Sequence, residues 1–426
     1  MKRSQIGNLV IIGLVILNVI VWLAFPPVDD GQPNFWRRYA GEVIGSNNIV
    51  LMACALFLST RPKWAEKYFG GLDKMYITHR NVGTAAFLLI FVHVLTIPIS
   101  TTGWRVGNYL AVIAFAGIVS IVLITLAPRI PFLNRLAGAD YDDWKKLKRY
   151  IGIFFILGFI HSLTVDALDA KIPITWVMVF FIIGTISYLY TEFFGRFFKR
   201  YAPYRVDAVK HPNPSSTEVT LRAQNAPMKN HQAGQFLFVT FPGDKVLNES
   251  HPFTISSSPS EDALRLTIKA SGNFTRELFS RLKAGMEAVV EGPYGMFNYK
   301  SGGPNQIWIA GGIGVTPFLS FVRDFDGDLS KQVDLYYTVR HPEEAIFVDE
   351  LEAAAQRHSG LRLHIRYSAQ QGSLKFEYIL NDMTGDIKSY DVYMCGPLPM
   401  LLAFEEKFLE HGLPRENLHY EEFNFR

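Results

Sequence analysis

Six apolar runs crowd into the first 195 residues, at 6–25, 46–60, 79–98, 106–126, 150–165 and 174–195. The hydrocarbon core of a bilayer is about 30 Å thick and takes about 20 apolar residues of helix. Inside it every backbone N–H and C=O must be satisfied within the chain, which leaves helix as the form for runs of this length. The expectation is a six-helix transmembrane bundle, although two of the runs are short for a span. Met1-Lys2-Arg3 ahead of the first run has the outline of a signal peptide. That run is long, however, and no Ala-x-Ala-type site follows it, so a first spanning helix is the reading.

Charge then orients the bundle. Lys2, Arg3, Arg61, Lys63, Lys67, Lys74, Arg129, Arg135, Lys145, Lys146, Lys148, Arg149, Arg196, Lys199 and Arg200 fall on one face of the six-helix layout. Arg37, Arg38, Arg105 and Lys171 fall on the other. The positive-inside rule makes the rich face cytoplasmic. The chain is thereby expected to be integral to a bacterial-type cytoplasmic membrane, with six spans and both termini in the cytoplasm. With Lys and Arg gathered at membrane segments, the net charge of +3 gives no sign of a nucleic-acid partner. The two cysteines, Cys54 and Cys395, supply neither a disulfide framework nor a thiolate metal site. A metal would have to be held by histidine or by a cofactor.

The third apolar run carries His79 and His93. A spacing of fourteen residues returns a helix to within about 40° of the same face after about 21 Å. Both imidazoles then lie within the bilayer, stacked at two depths, where an ionisable group is costly and usually functional. His161, near the outer end of the fifth run, matches the depth of His93. Two such histidines on facing helices suit a bis-imidazole haem. The inner level differs: thirteen residues before His161 stands Lys148, within Lys145-Lys146-Leu147-Lys148-Arg149, and no histidine faces His79.

From about 204 to 300 short alternating runs are punctuated by Gly, Pro and Asn, the pattern of a small antiparallel barrel. Within it, His251-Pro252-Phe253-Thr254-Ile255-Ser256-Ser257 offers a rigid ring and hydroxyls that could line a flat aromatic cofactor. Gly272-Asn273-Phe274-Thr275-Arg276 brings together amides, a hydroxyl and a guanidinium suited to a pyrophosphate. Residues 306–316 read as a buried strand ending in Gly311-Gly312-Ile313-Gly314, with Thr316-Pro317 opening a helix. Glycine lets backbone approach phosphate and the helix start supplies amides, while Pro317 suits the first helical position. Two further strand-like runs end in Arg340, a partner for a 2′-phosphate, and in Cys395-Gly396-Pro397, placed to lie under a nicotinamide. Cys395 has no neighbouring His or Lys in sequence to activate it and is not read as a nucleophile.

In this order the motifs resemble the NADPH oxidase and ferric reductase superfamily, most closely its bacterial NADPH oxidase-like flavocytochromes, over essentially the whole chain. The resemblance implies a multi-domain fold: a ferric-reductase-like haem domain at 1–195, an FAD-binding β-barrel at 196–303 and an NADPH-binding α/β domain at 304–426. It implies FAD cradled by His251, Pro252, Phe253, Thr254, Ser256 and Ser257, with Gly272, Thr275 and Arg276 near the pyrophosphate. It further implies NADPH held by Gly312, Gly314, Thr316 and Pro317, with Arg340 on the 2′-phosphate and Cys395 and Gly396 beside the nicotinamide. Phe423 matches the aromatic that covers the flavin in this family; Phe423 and Cys395 are the expected catalytic positions. The family pattern has a second histidine where this chain has Lys148. Three arrangements are therefore open: Lys148 deprotonated by burial and ligating iron opposite His79, a five-coordinate inner haem on His79, or no inner haem.

The expected activity is electron transfer from cytoplasmic NADPH, or NADH, through FAD and b-type haem to dioxygen on the outer face, giving superoxide. Arg37, Arg38 or Arg105 could attract an anion there, and Phe154 lies between the two haem levels. A ferric-chelate reductase of the same architecture and a membrane subunit donating electrons to another redox protein are the rival readings. The membrane lipid is a partner; an obligatory protein partner is not expected. With no EF-hand pattern and no long N-terminal extension, activity without calcium or a cytosolic factor is expected. Pyridine haemochromogen assay of purified protein should give two haems per FAD, and a ratio of one would remove the inner haem.

Overall fold

The computed structural model describes residues 3–98, 103–126, 147–165, 168–195, 201–228, 231–325 and 330–421. The chain divides into two compact units, Met1–Phe198 and Lys199–Arg426.

The first unit is helical. Its helices are α1 (Ile6–Ala24), α2 (Phe35–Ser59), the short α3 (Lys63–Phe69), α4 (Leu72–Thr96), α5 (Val106–Leu126), α6 (Ile151–Thr164) and α7 (Lys171–Leu189), the last running on into a π turn at Tyr190–Phe194. All six apolar runs are helical. Five are long and apolar enough to cross a membrane among the described residues, and α6, with 14 residues, is not. At 1.5 Å per residue it reaches about 21 Å, short of the bilayer core. Two helices begin well before their apolar runs, α2 at Phe35 and α4 at Leu72. Their first turns, Phe35-Trp36-Arg37-Arg38 and Leu72-Asp73-Lys74-Met75, mix apolar with charged residues, because helical hydrogen bonding continues past the stretch that faces lipid.

Close crossings hold this unit together. A Cβ on Gly117 of α5 would lie 2.2 Å from the Phe154 ring of α6, and one on Gly184 of α7 would lie 2.7 Å from Phe155. Where lipid competes equally for apolar surface, small residues opposite large ones let helices pack by contact rather than by water exclusion. Phe159 and Phe181 stack face to face across α6 and α7, 3.7 Å apart and within 9° of parallel. Phe154, expected between two haem levels, is thus packed against α5.

The second unit holds two sheets. Strands β1 (Tyr201–Asn213), β2 (Ser216–Ala223), β3 (Phe236–Thr240), β4 (His251–Thr254), β5 (Leu264–Lys269) and β6 (Glu287–Tyr294) form an antiparallel sheet in the order β4-β3-β6-β1-β2-β5. An isolated bridge between Ile255 and Leu266 joins its two edges, so the sheet curls towards a barrel. Val219, Leu221, Leu237, Val239, Leu266 and Val290 fill the inside. Helix α8 (Asn273–Arg281) lies between β5 and β6 in the chain.

The other sheet is parallel, in the order β11-β10-β7-β8-β9, built from β7 (Asn305–Gly311), β8 (Gln332–Val339), β9 (Leu361–Tyr367), β10 (Tyr390–Cys395) and β11 (Leu418–Glu421). Helices α9 (Thr316–Arg323), α10 (Val348–Arg357) and α11 (Leu398–Glu410) connect them. Buried on both faces, β7 reads Ile307-Trp308-Ile309-Ala310 without alternation, as parallel strands do. The chain winds outward from β7 to β9 and then returns to place β10 on the other side. That reversal opens a crevice beyond the ends of β7 and β10.

Gly117→Leu should destabilise the helical unit by about 1–3 kcal/mol through overpacking against Phe154. Thermal melting of the protein in detergent reads this, and an unchanged midpoint would mean that α5 and α6 do not pack through this contact.

Candidate functional sites: a histidine-walled cavity and a two-sheet nucleotide site

Histidine orientation in the helical unit is set by backbone. His79 Nδ1 lies 2.8 Å from Ala55 O and His93 Nδ1 lies 2.9 Å from Gly41 O. His161 Nδ1 lies 3.0 Å from Gly107 O. A carbonyl can only accept, so in each ring Nδ1 carries the proton and Nε2 is left with a lone pair. Two of the acceptors are on α2, at 41 and 55, and face 93 and 79 on α4: the same fourteen-residue spacing, run in opposite directions. Neither Gly41 nor Gly107 has a side chain to hold the imidazole off. A Cβ on Gly45 would lie 3.0 Å from the His93 ring, so glycine there makes room for it.

His93 and His161 line one cavity of about 510 Å³, together with Gly45, Met52, Ile90, Ile118, Phe155, Gly158 and others. Their ring centroids are 6.5 Å apart. Two metal–imidazole bonds of about 2 Å plus two ring radii of roughly 1 Å come to roughly 6 Å, so one iron fits between them. Among the described residues neither Nε2 has a hydrogen-bond partner. A Cβ on Gly158, one turn before His161, would meet nothing within 4 Å. The cavity walls are mostly apolar, with Arg38, Glu42, Asn48 and Arg105 among the polar exceptions. Ligand pair, spacing, room and wall chemistry all fit a haem.

The inner level is less defined. Gly83, one turn beyond His79, also faces open space. Lys148 opens the 3-10 turn Lys148–Tyr150 that leads into α6, and its side chain lies outside the described residues. No cluster of three or more His, Cys, Asp or Glu side chains suited to a metal occurs among the described residues.

In the barrel, β4 carries His251 to Thr254. The His251 ring stacks on Phe274, 3.6 Å between centroids and 22° from parallel. Phe253 lies near-parallel to the same ring at 6.5 Å. His251, Pro252 and Phe253 are half-buried, whereas Thr254, Ser256 and Ser257 are buried. The Ser256 hydroxyl is shared with Thr267 at 3.0 Å, and Ser257 Oγ accepts from the Arg265 amide at 3.1 Å. Both hydroxyls are engaged within the protein; of the two expected to bond a cofactor's edge, Thr254 and Ser256, the second is one of these. Thr275 Oγ1 accepts from the amides of Ser271 and Gly272, tightening the start of α8. Arg276 is exposed and donates to Asn273 Oδ1 at 2.9 Å.

At the crevice of the parallel sheet the two expected glycine turns meet. A Cβ on Gly314 would lie 2.2 Å from Cys395 O, and one on Gly396 would lie 3.0 Å from Gly311 Cα. Glycine is required by this contact between backbones. Gly312 has φ +58°, the left-handed region that glycine adopts without strain. Thr316 Oγ1 donates back to Ile313 O, and Pro317 follows in the first turn of α9. Arg340 stands exposed just past β8, its carbonyl accepting from Ala369. Phe423 lies outside the described residues.

Sequence reasoning passed over Glu421, which is buried at the end of β11 in register with Cys395. Nothing in the local sequence marks it, since β10 and β11 pair only in the folded sheet. Burial, and then the negative Glu421, push the Cys395 thiol well above its ordinary value. The neutral thiol is thereby stabilised in the folded state.

Three families match in chain order. They are a ferric reductase like transmembrane component at residues 44–114, an FAD-binding domain at 208–298 and an oxidoreductase NAD-binding domain at 308–406. The glycine betaine monooxygenase reductase subunit of Pseudomonas aeruginosa is 31% identical over 207 residues, 45% of this chain and 55% of that protein. The ferredoxin reductase component of 3-ketosteroid-9-alpha-monooxygenase from Rhodococcus rhodochrous is 27% identical over 197 residues, 46% of this chain and 56% of that one. The chain spans about half the length of these relatives. A flavohemoglobin from Malassezia yamatoensis, with bound FAD and heme, superposes over 90% of this chain and 97% of its own at 17% identity and TM-score 0.52, a likeness of fold alone.

A thiol held neutral by the fold makes stability fall as pH rises above the unfolded value near 8.5, by at most about 1.4 kcal/mol per pH unit. Cys395→Ala should therefore flatten the alkaline limb of a plot of melting temperature against pH between about 8.5 and 10. An unaltered slope would show that the thiol titrates alike in both states.

Proposed function

We propose that this chain, whose three domain matches give it the NADPH oxidase and ferric reductase-like architecture, carries electrons from NAD(P)H through FAD to haem in the helical unit and on to an acceptor on the outer face. The single observation that carries the reading is the His93–His161 pair: two imidazoles with Nδ1 committed to backbone, 6.5 Å apart across one cavity. A merely structural pair of histidines has no need of that spacing or of the open space at Gly158.

When bound, FAD supplies the conversion of a two-electron hydride into single electrons, and haem supplies a one-electron carrier at membrane depth. The protein's part is to bind and orient. His251, Pro252 and Phe253 present a half-buried apolar surface for the flavin, and the amides opening α8 together with Arg276 face its pyrophosphate. Gly312 and Gly314 let the dinucleotide diphosphate approach the start of α9, Arg340 meets a 2′-phosphate, and Cys395 and Gly396 floor the nicotinamide site. Phe423 is the proposed flavin cover. Hydride transfer needs water excluded, and Cys395 and Glu421 close the base of that crevice.

His93 and His161 would hold the outer haem through their Nε2 atoms, and the exposed lining residues Gly103 and Arg105 are where an acceptor would meet the protein. The proposed acceptor is dioxygen, which would become superoxide on taking one of the electrons that NAD(P)H supplies. Two haems are proposed, because His79 repeats the orientation of His93 on the same pair of helices; Lys148 is then the inner candidate ligand. Six spans are proposed from the six helical runs, with the 14-residue α6 the short one, and cytoplasmic termini from the charge distribution. A second reading, electron donation to a separate redox protein, is favoured by the relatives named as monooxygenase reductase components.

His93→Ala and His161→Ala should each remove one haem per FAD and reduce superoxide dismutase-sensitive turnover to background, while NADPH reduction of ferricyanide continues. Either variant keeping a full Soret band would defeat the outer-haem assignment. Ferrozine-detected iron reduction exceeding superoxide output would transfer the acceptor to a ferric chelate, and turnover only with an added redox protein would favour the second reading.

A further inference from the structure

The strand end assigned to flavin is gripped from two sides. Ser256 and Ser257 are fully buried. From the barrel, the Ser256 amide donates to Arg265 O at 2.8 Å, and the two hydroxyls bond to Thr267 and to the Arg265 amide. From the nucleotide domain, Ser320 Oγ donates to Ser257 O at 2.7 Å and Arg323 Nη1 donates to Ser256 O at 2.7 Å. Ser320 and Arg323 stand one turn apart on α9, the helix whose first turn follows the glycine loop.

The Arg323 guanidinium is itself immobilised. Its side chain is 5% exposed, and Nε and Nη2 take both oxygens of Glu350 at 2.6 and 2.7 Å. Glu218 Oε1 of the barrel stands 3.5 Å from Nη2, and the Phe347 ring lies 5.0 Å from the guanidinium carbon. A two-pronged, charge-assisted pair fixes the plane of the group as well as its position. Rotating it away would break the two-pronged pair with Glu350 and leave the buried Glu218 with only Arg265, at 3.7 Å, as its counter-charge, which is unfavourable. The carbonyls of Ser256 and Ser257 are therefore tied to a part of the nucleotide domain that cannot drift.

We propose that Ser320 and Arg323 are positioning residues for hydride transfer: α9 meets the dinucleotide at its start and the flavin strand at its end, and so sets the separation of the two rings. This rests on the assignments made under the proposed function. Helix α9 has 8 residues, about 12 Å of rigid rod. A shift at either end passes to the reacting distance, and a 1 Å misplacement there costs about a hundredfold in rate. The step affected moves two electrons and one proton together from the reduced nicotinamide to the flavin, with the dinucleotide oxidised and the flavin reduced.

The test uses the full-length protein in detergent with FAD bound, as Ser320→Ala, Arg323→Lys and Arg323→Gln. Ser320→Ala removes one hydroxyl only, and Arg323→Lys keeps the charge for Glu350 and Glu218 while losing the fork. Anaerobic stopped-flow reduction at saturating NADPH should slow roughly tenfold to a hundredfold, with FAD content and NADP+ affinity within about twofold of the parent. The visible circular dichroism of bound flavin, and its change on adding NADP+, should alter in both milder variants, and Lys should recover part of what Gln loses. Parent-like rates and flavin dichroism in Ser320→Ala and Arg323→Lys would overturn the proposal, as would rate losses that only track lost FAD. A parent protein that takes no FAD, or whose FAD NADPH does not reduce, would defeat the underlying reading instead.

Discussion

A helical carbonyl already accepts one hydrogen bond, and its second lone pair is normally left to solvent. In the helical unit Gly41, Ala55 and Gly107 give that second lone pair to an imidazole Nδ1. At membrane depth no water competes for it, so the bond persists and each ring is held in one tautomer and one direction. Everything proposed for this unit depends on that constraint. If Nδ1 were free to turn, His93 and His161 would hold neither the spacing nor the lone pairs that suit an iron. The cost falls on sequence: an acceptor without a side chain, or with the smallest one, has to lie where each ring meets the neighbouring helix.

The second unit solves a related problem with charge. Two domains must present two planar rings to one another at a distance that tolerates little error. A purely apolar contact between barrel and nucleotide domain would hold them together without fixing that distance. Arg323, forked onto Glu350 and bonded to Ser256 O, gives direction as well as attraction. Lys269 to Glu344, at 3.1 Å, adds a further polar tie between the same domains, although both partners are partly exposed and its contribution is small.

Much of this was legible in advance, for local reasons. Apolar runs long enough for lipid become helices because the backbone has no other partner, and the glycine turn after β7 announces itself because few other residues allow that path. The parallel and antiparallel sheets follow from runs that either alternate or do not. What escaped was whatever depended on partners far along the chain. The bonds of the Ser256 and Ser257 hydroxyls to Thr267 and to the Arg265 amide are of this kind. The packing of Phe154 on Gly117, beside the cavity that His93 and His161 line, is another such contact. Glu421 carried no local mark and gains its place from pairing with Cys395.

By itself the amino-acid sequence determined that this is a membrane chain with a flavin- and dinucleotide-binding module, and that His79 and His93 share one face of a helix. Helical periodicity and the thickness of a bilayer are enough for the helices and the shared histidine face, and the order of the glycine, proline and aromatic motifs carries the resemblance that implies the module. Only the tertiary structure decided that α2 runs against α4 so that residues 41 and 55 meet 93 and 79, and that α6 brings His161 to 6.5 Å from His93. Those distances come from glycine and aromatic contacts between helices distant in sequence, and short-range propensity does not encode them.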